Sequence, residues 1–159
     1  MTIGVRHARS GDRRFVEALG AETAHSGVSA IRPADADTTA RAFHRLLAFC
    51  EERPKTVTLI AESEGIPVGF LLLVTDIPDD VTQAPQAFVA FMAVEPAARR
   101  RGAAAKLLAA AEQEARSLGL PHLSLMVTAD NAPARALYRR FGFTDERLVL
   151  TKRVEPAAS

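Results

Sequence analysis

The sequence predicts an α/β layered domain built on a mixed, mainly antiparallel sheet flanked by about four helices. Three observations carry that prediction. Segments with apolar residues at helical spacing alternate with short apolar, β-branched runs. Two of those runs are joined by SEGI, whose Gly65 suits the tight turn of an antiparallel hairpin. A third run, QAFVAFMAV, is apolar throughout, as expected of a strand covered on both faces, and is read as the centre of the sheet. At 159 residues the chain is expected to form one domain, with residues 2–153 as core and 154–159 as a tail. Such a length buries roughly 70% of the surface exposed by the unfolded chain.

Taken in order, TIGVRHA reads as a short strand. SGDRRFVEALGAET follows as a helix with Phe15, Ala18 and Leu19 on one face and Ser10 or Asp12 as cap. HSGVSAIRP breaks the pattern. A second helix, from about Asp35 to Arg53, repeats Phe43, Leu46, Leu47 and Cys50 at i, i+3, i+4 and i+7, and Pro54 closes it. The hairpin strands are TVTLIAE and PVGFLLLVT, and DIPDDVTQAP is a polar loop leading to QAFVAFMAV. A third helix carries Ala104, Leu107, Leu108, Ala111, Ala115 and Leu118 as a stripe and stops at Gly119 and Pro121. HLSLMV is a strand, TADNAP a capping loop, ARALYRRF a helix with Ala134, Leu137, Tyr138 and Phe141 on one face, and FTDERLVLTKR a final strand.

Composition narrows the function. Hydrophobic residues make up 48% and charged residues 25%, the balance of an ordinary globular protein. Twenty basic against nineteen acidic residues leave a net charge of +1, too little for a global field that would hold nucleic acid or an anionic membrane. Cys50 is the only cysteine, which excludes an intramolecular disulfide and a multi-cysteine metal site; its setting, FHRLLAFC, is that of a small core residue. MTIGVRHARS carries no apolar signal region, and no run approaches the roughly 18 apolar residues of a membrane span. A cytoplasmic location is therefore expected.

The most unusual stretch is VEPAARRRGAAAKLL, where three arginines and a glycine precede a helix. A helix start leaves backbone N–H groups without acceptors and carries the positive end of the helix dipole, so an anion is attracted there. A phosphate is expected on the amides of Arg101, Gly102, Ala103 and Ala104, with the forks of Arg99, Arg100 and Arg101 at its edges. The bland reading is a solvated basic face beside an ordinary helix start. A P-loop is ruled out because no Lys-Ser or Lys-Thr follows Gly102, and a dinucleotide fingerprint fails for want of two glycines.

Arg99-x-x-Gly102-x-Ala104, following Val94-Glu95-Pro96, resembles the acyl-CoA pyrophosphate loop of the GNAT superfamily of N-acetyltransferases. NAPARALYRRFGF resembles that family's second motif, with Asn131, an alanine three residues on, Tyr138 and a Gly-Phe pair. The motifs lie about thirty residues apart in the family's order, and the element order from residue 2 to about 153 fits its fold. Position 104 departs slightly, with alanine where the family often has glycine; alanine costs little if that backbone is already helical.

The resemblance implies acetyl transfer from acetyl-CoA to an amine by direct attack in a ternary complex, with no metal. It implies that two parallel strands splay at a bulge and that Met92, Ala93 and Val94 pair with the pantetheine arm. The Met92 backbone N–H then contacts the thioester oxygen. Tyr138 becomes the acid that protonates the departing thiolate; its alternative is a core tyrosine beside Leu137 and Phe141. Asn131 orients the pantetheine or a water, or caps the following helix, or both. No general base stands out: Glu95, Asp79, Asp80, Glu22 and His25 lie near the expected cleft, and His122 and His44 are weaker candidates. The acceptor, a small-molecule amine or a protein N-terminus or lysine, is expected between the first helix pair and the loop from Asp76 to Pro85. A homodimer is a family-level expectation. Two other classes compete. A non-catalytic acyl-CoA sensor is kept open by the absence of a carboxylate on QAFVAFMAV, and nucleic-acid binding through RRRG is disfavoured by the interspersed acids.

Overall fold

The computed structural model describes residues 2–158. Five strands, β1 (Ile3–His7), β2 (Thr56–Ser63), β3 (Ile66–Val74), β4 (Ala87–Val94) and β5 (Leu123–Leu125), form one sheet in sequence order. All neighbours are antiparallel except β4 and β5, which are parallel. Four helices complete the layers: α1 (Arg13–Thr23), α2 (Ala36–Glu51), α3 (Ala103–Ser117) and α4 (Ala132–Arg140). The α/β class, the mixed sheet and the four helices are those read from the sequence.

The sheet separates two cores. On one face α3 lays Leu107, Leu108 and Ala111 against Leu59, Leu71 and Leu73. On the other, α1 and α2 bring Val16, Leu19, Phe43, Leu47 and Cys50 onto Ile60, Phe70 and Leu72. Burying each of these leucines contributes about 1.5–3 kcal/mol. The two helices meet closely at Gly20, where a Cβ would lie 2.0 Å from the Phe43 ring. That ring in turn packs at 4.7 Å from Phe91 of β4. Burial pushes the Cys50 thiol up to about 11, in keeping with a packing role.

Local chemistry fixes the element ends. Ser63 and Ile66 are joined by a two-residue turn with both central residues at positive φ, Glu64 at 52° and Gly65 at 80°, the geometry of the predicted hairpin. Asp35 caps α2 by accepting the Thr38 N–H at 2.7 Å. Before α1, the buried Asp12 accepts the Arg9 N–H at 2.7 Å and two bonds from Arg6 at 2.6 and 3.0 Å, while Arg6 also donates to Glu62 at 2.7 Å. Those Arg6 hydrogen bonds hold the Asp12 carboxyl below the usual carboxylate range.

Four expectations are corrected. The central strand is β3, whose residues from Gly69 to Val74 are all buried; β4 lies next to it because its other side meets only three residues of β5. The buried face of α1 is Val16, Leu19 and Gly20, with Phe15 half-buried and Ala18 exposed. Leu118 lies past the last turn of α3 and is 53% exposed, since the helix ends one residue earlier. FTDERLVLTKR forms no strand: residues 144–158 carry no regular structure and are exposed throughout.

Candidate functional site

The geometry of β4 turns on one extra residue. Its pairing with β3 runs Leu71↔Met92 and Leu72↔Phe91, then steps to Leu73↔Val89, leaving Ala90 as a bulge. The consequence shows in the amides. The Ala87 N–H donates towards β5, to His122 O at 2.9 Å, whereas the Glu95 N–H donates towards β3, to Val68 O at 2.8 Å. Along a regular strand alternate amides point to opposite sides, so 87 and 95 would share one. The bulge reverses that parity, and beyond it the amides of Met92 and Val94 face away from β3. The Val94 carbonyl faces the same way and accepts a bond from Arg99 Nε at 3.3 Å.

On that side no strand is waiting. β5 accompanies β4 only through Ala87↔Leu123, Phe88↔Ser124 and Val89↔Leu125, and Met126 next along is 78% exposed. The two parallel strands therefore splay just past the bulge, leaving Met92, Ala93 and Val94 on an edge with outward amides.

At the end of this edge the chain makes a 3-10 turn, Pro96–Ala98, and passes through Arg99, Arg100 and Arg101 into α3. Two of the next residues sit in the left-handed region: Arg100 at φ 65° and Gly102, the α3 N-cap, at φ 85°. A side chain at 102 would be strained by that φ alone, since a Cβ there meets nothing within 4 Å. The helical ladder starts with the Lys106 N–H donating to Gly102 O at 3.0 Å, so the amides of Ala103 and Ala104 precede it at the positive end of the dipole. Ala104 is already helical, the condition under which alanine is tolerated there.

Tyr138 stands on α4 on the α3 face of the sheet, packed against the same apolar cluster as Met92, Val94 and Leu125. It is half-buried and meets Phe143 edge-on at 5.8 Å, and among the described residues its hydroxyl has no hydrogen-bond partner. Burial pushes its phenol up from the ordinary value, so it stays protonated at neutral pH. Asn131 caps α4, accepting the Ala134 N–H at 3.2 Å.

Of the candidate bases, Asp79 is engaged: Thr82 holds it through N–H and hydroxyl at 2.8 and 2.7 Å, and Arg147 pairs with it. Those contacts draw its carboxyl down to about 2. Glu95 is half-buried at the end of β4, and Asp80, Glu22 and His25 are exposed. His122 lines a cleft beside α3, and His44 Nδ1 lies 3.6 Å from Glu17. On the α1–α2 face, a recess of about 240 Å³ is lined by Ala24, Val28, Ala42, Phe43, Leu46 and Phe91. Its loop is tied to the start of α4: Thr128 donates to Gly27 O at 2.6 Å and the Ala30 N–H to Asp130 at 3.0 Å.

Two features were not legible beforehand as residues: the bulge at Ala90 and the left-handed Arg100. An all-apolar run marks no bulge position, and nothing but a neighbouring glycine hints that an arginine adopts positive φ.

Comparison with known proteins agrees with this architecture. The Acetyltransferase (GNAT) family model matches residues 24–143. A mycothiol acetyltransferase of Clavibacter michiganensis subsp. michiganensis is 37% identical over 92 residues, 58% of this chain, and the matched part spans 28% of that relative's length. Among solved structures, a Pyrococcus furiosus protein assigned as an acetyl transferase superposes with TM-score 0.81 at 21% identity, covering 96% of this chain and 100% of that one. The aminoglycoside N-acetyltransferase AAC(6')-Iy, solved with CoA, superposes with TM-score 0.66 at 17% identity, covering 95% and 99%. No helix among the described residues is long and apolar enough to cross a membrane. With three quarters of its length inside the family model, the chain belongs to the GNAT acetyltransferase family.

Proposed function

We propose that the protein transfers an acetyl group from acetyl-CoA to a primary amine by direct attack, with donor and acceptor bound together. The observation that carries this reading is the parity switch at Ala90, which turns the Met92 and Val94 amides into the gap between β4 and β5. The donor's pantetheine arm is itself an extended amide chain and pairs with such an edge as a strand would. Its diphosphate falls at the start of α3, on Gly102, Ala103 and Ala104, with the cations of Arg99, Arg100 and Arg101 around it. The likeness in fold to an N-acetyltransferase solved with CoA supports the use of that donor.

Each group then has a stated role. The Met92 amide donates to the thioester oxygen as negative charge develops there, in a site where such a donor is worth a factor of about 10²–10³ in rate. Tyr138, kept protonated by burial, gives its proton to the leaving thiolate, so that the sulfur departs as a thiol. Asn131 acts through the α4 cap, holding the helix that presents Tyr138. The amine enters from the opposite face, by the recess under Phe91 and the loop from Asp76 to Pro85. Asp79, already bound by Thr82 and Arg147, is a poor base, and the ammonium's proton leaves through water near Glu95.

The test is release of CoA thiol from acetyl-CoA across a panel of primary amines, with thermal protection by CoA measured alongside. Amine-dependent thiol release supports the reading. Protection by CoA with no thiol release for any amine replaces it with the sensor, which the absence of a carboxylate on β4 favours.

A further inference from the structure

We propose that the acceptor is a primary amine carrying a compact apolar group, an aryl ring or a branched alkyl on a short arm, which seats in the recess on the α1–α2 face of β4. The inference rests on the acyl-transfer reading and names the chemistry of its second substrate. The recess of about 240 Å³ is walled by Val28, Ala42, Phe43, Leu46 and Phe91. Among the described residues that line it, Thr39 alone carries a side-chain heteroatom, and that hydroxyl is engaged inside α2, donating to Ala36 O at 3.0 Å. An ammonium held against these walls would lose its hydration and gain no partner. An apolar body gains from the same burial.

Shape narrows the class further. Phe43 and Phe91, the two rings of the wall, lie 4.7 Å apart, and both pack on the buried Phe70, at 6.1 and 5.9 Å. Gly20 leaves the room that the Phe43 ring occupies, and the Thr128 hydroxyl fixes the mouth by donating to Gly27 O at 2.6 Å. The recess is therefore built before any ligand arrives. An apolar cavity of about 150 Å³ is enough to take up benzene, so this one holds a single ring with a short chain. Phe91 precedes Met92 on β4, one strand step of about 3.3 Å away. A two-carbon arm on a ring seated at Phe91 spans that step and brings its nitrogen to the Met92 edge. A second positive charge finds no counterpart: Asp130 already accepts the Ala30 N–H at 3.0 Å, Asp35 the Thr38 N–H at 2.7 Å, and Asp79 is held by Thr82. Polyamines fit poorly for that reason.

Thiol release from acetyl-CoA with 2-phenylethylamine, ethylamine and spermidine tests the proposal, with saturation-transfer NMR following the ring protons of 2-phenylethylamine on the CoA-saturated protein. kcat/KM for 2-phenylethylamine is expected to exceed that for ethylamine at least about ten-fold, the ratio that burial of one ring supports, with spermidine lowest. Ala42→Phe fills the recess from an exposed position on α2 and should erase both the ratio and the ring contact. Ala42→Leu serves if the larger side chain disturbs the far-ultraviolet circular dichroism. A parental ratio near one, release led by spermidine, or a ratio that survives in the variants overturns the proposal and leaves acyl transfer standing. Ring contact that the variants abolish, with thiol release from no amine, overturns acyl transfer and supports the recess as a site for an apolar amine. Neither release nor ring contact overturns both.

Discussion

β4 and the segment after α4 both carry runs of large apolar residues, yet the molecule treats them oppositely. AFVAFMAV lies inside the sheet with Ala87 fully buried and Val89 and Ala93 nearly so, while the leucines of ERLVLTKR are more than three-quarters exposed. Propensity does not separate them. What does is the availability of a partner edge: β4 pairs with the six residues of β3 from Gly69 to Val74, whereas the last segment pairs with no strand among the described residues and touches the rest of the chain through Arg147 on Asp79 and Thr151 on Arg32. Strand formation is decided by pairing and burial, and composition supplies only the candidates.

That contrast can be broken at several points. The largest effect is expected from Met92→Pro, which removes the outward amide itself at an edge where no ladder bond is lost. Acetyl transfer should fall by about 10³-fold, measured as thiol release; a variant with parental turnover would remove the edge amide from the reaction. Next is Tyr138→Phe, expected to lower kcat by about 10²–10⁴ with little change in acetyl-CoA affinity. The raised phenol also sets the parent's alkaline limb above about pH 10, and that limb should vanish in the variant.

Smaller effects sharpen the same comparison. Gly102→Val places a β-branched residue at φ 85° and should weaken CoA binding about ten-fold in a titration, with the fold retained. Gly20→Ala drives a methyl into the Phe43 ring that supports Phe91; overpacking of this kind costs about 1–3 kcal/mol and should lower Tm by several degrees, despite alanine's better helix propensity. Acid should act through Asp12. Its folded-state carboxyl is depressed, so the stability it contributes is complete above the ordinary range near pH 4 and is lost as pH falls below it. Asp12→Asn should flatten that acid limb in a melting series. The least change is expected from Arg147→Ala, whose ion pair with Asp79 is at the surface: under about 1 kcal/mol in thermal melts.

How much of this was written visibly in the residues follows the same division. The hairpin turn, the span of α2, the α3 stripe up to Ala115 and the two motifs at Arg99–Ala104 and Asn131–Phe143 are legible because each depends on local sequence: a positive φ, a 3.6-residue period, a fixed spacing. The α1 face was read one residue out of place, since Gly20 faces inward only because a distant phenylalanine needs the room. The central position of β3 and the three-residue contact of β5 depend on which edges meet, and no single segment encodes that. The final strand rests on composition alone, and among the described residues that segment pairs with no strand.

The bulge at Ala90 has a consequence for how this protein can vary. Met92 lies five residues beyond Ala87, an odd step that a regular strand would turn towards β3, so its outward amide exists only because the strand is irregular. Related chains should therefore exchange one apolar side chain for another along this stretch quite freely, while a change that flattens the strand at its present length closes the edge. What is inherited here is an imperfection of the ladder.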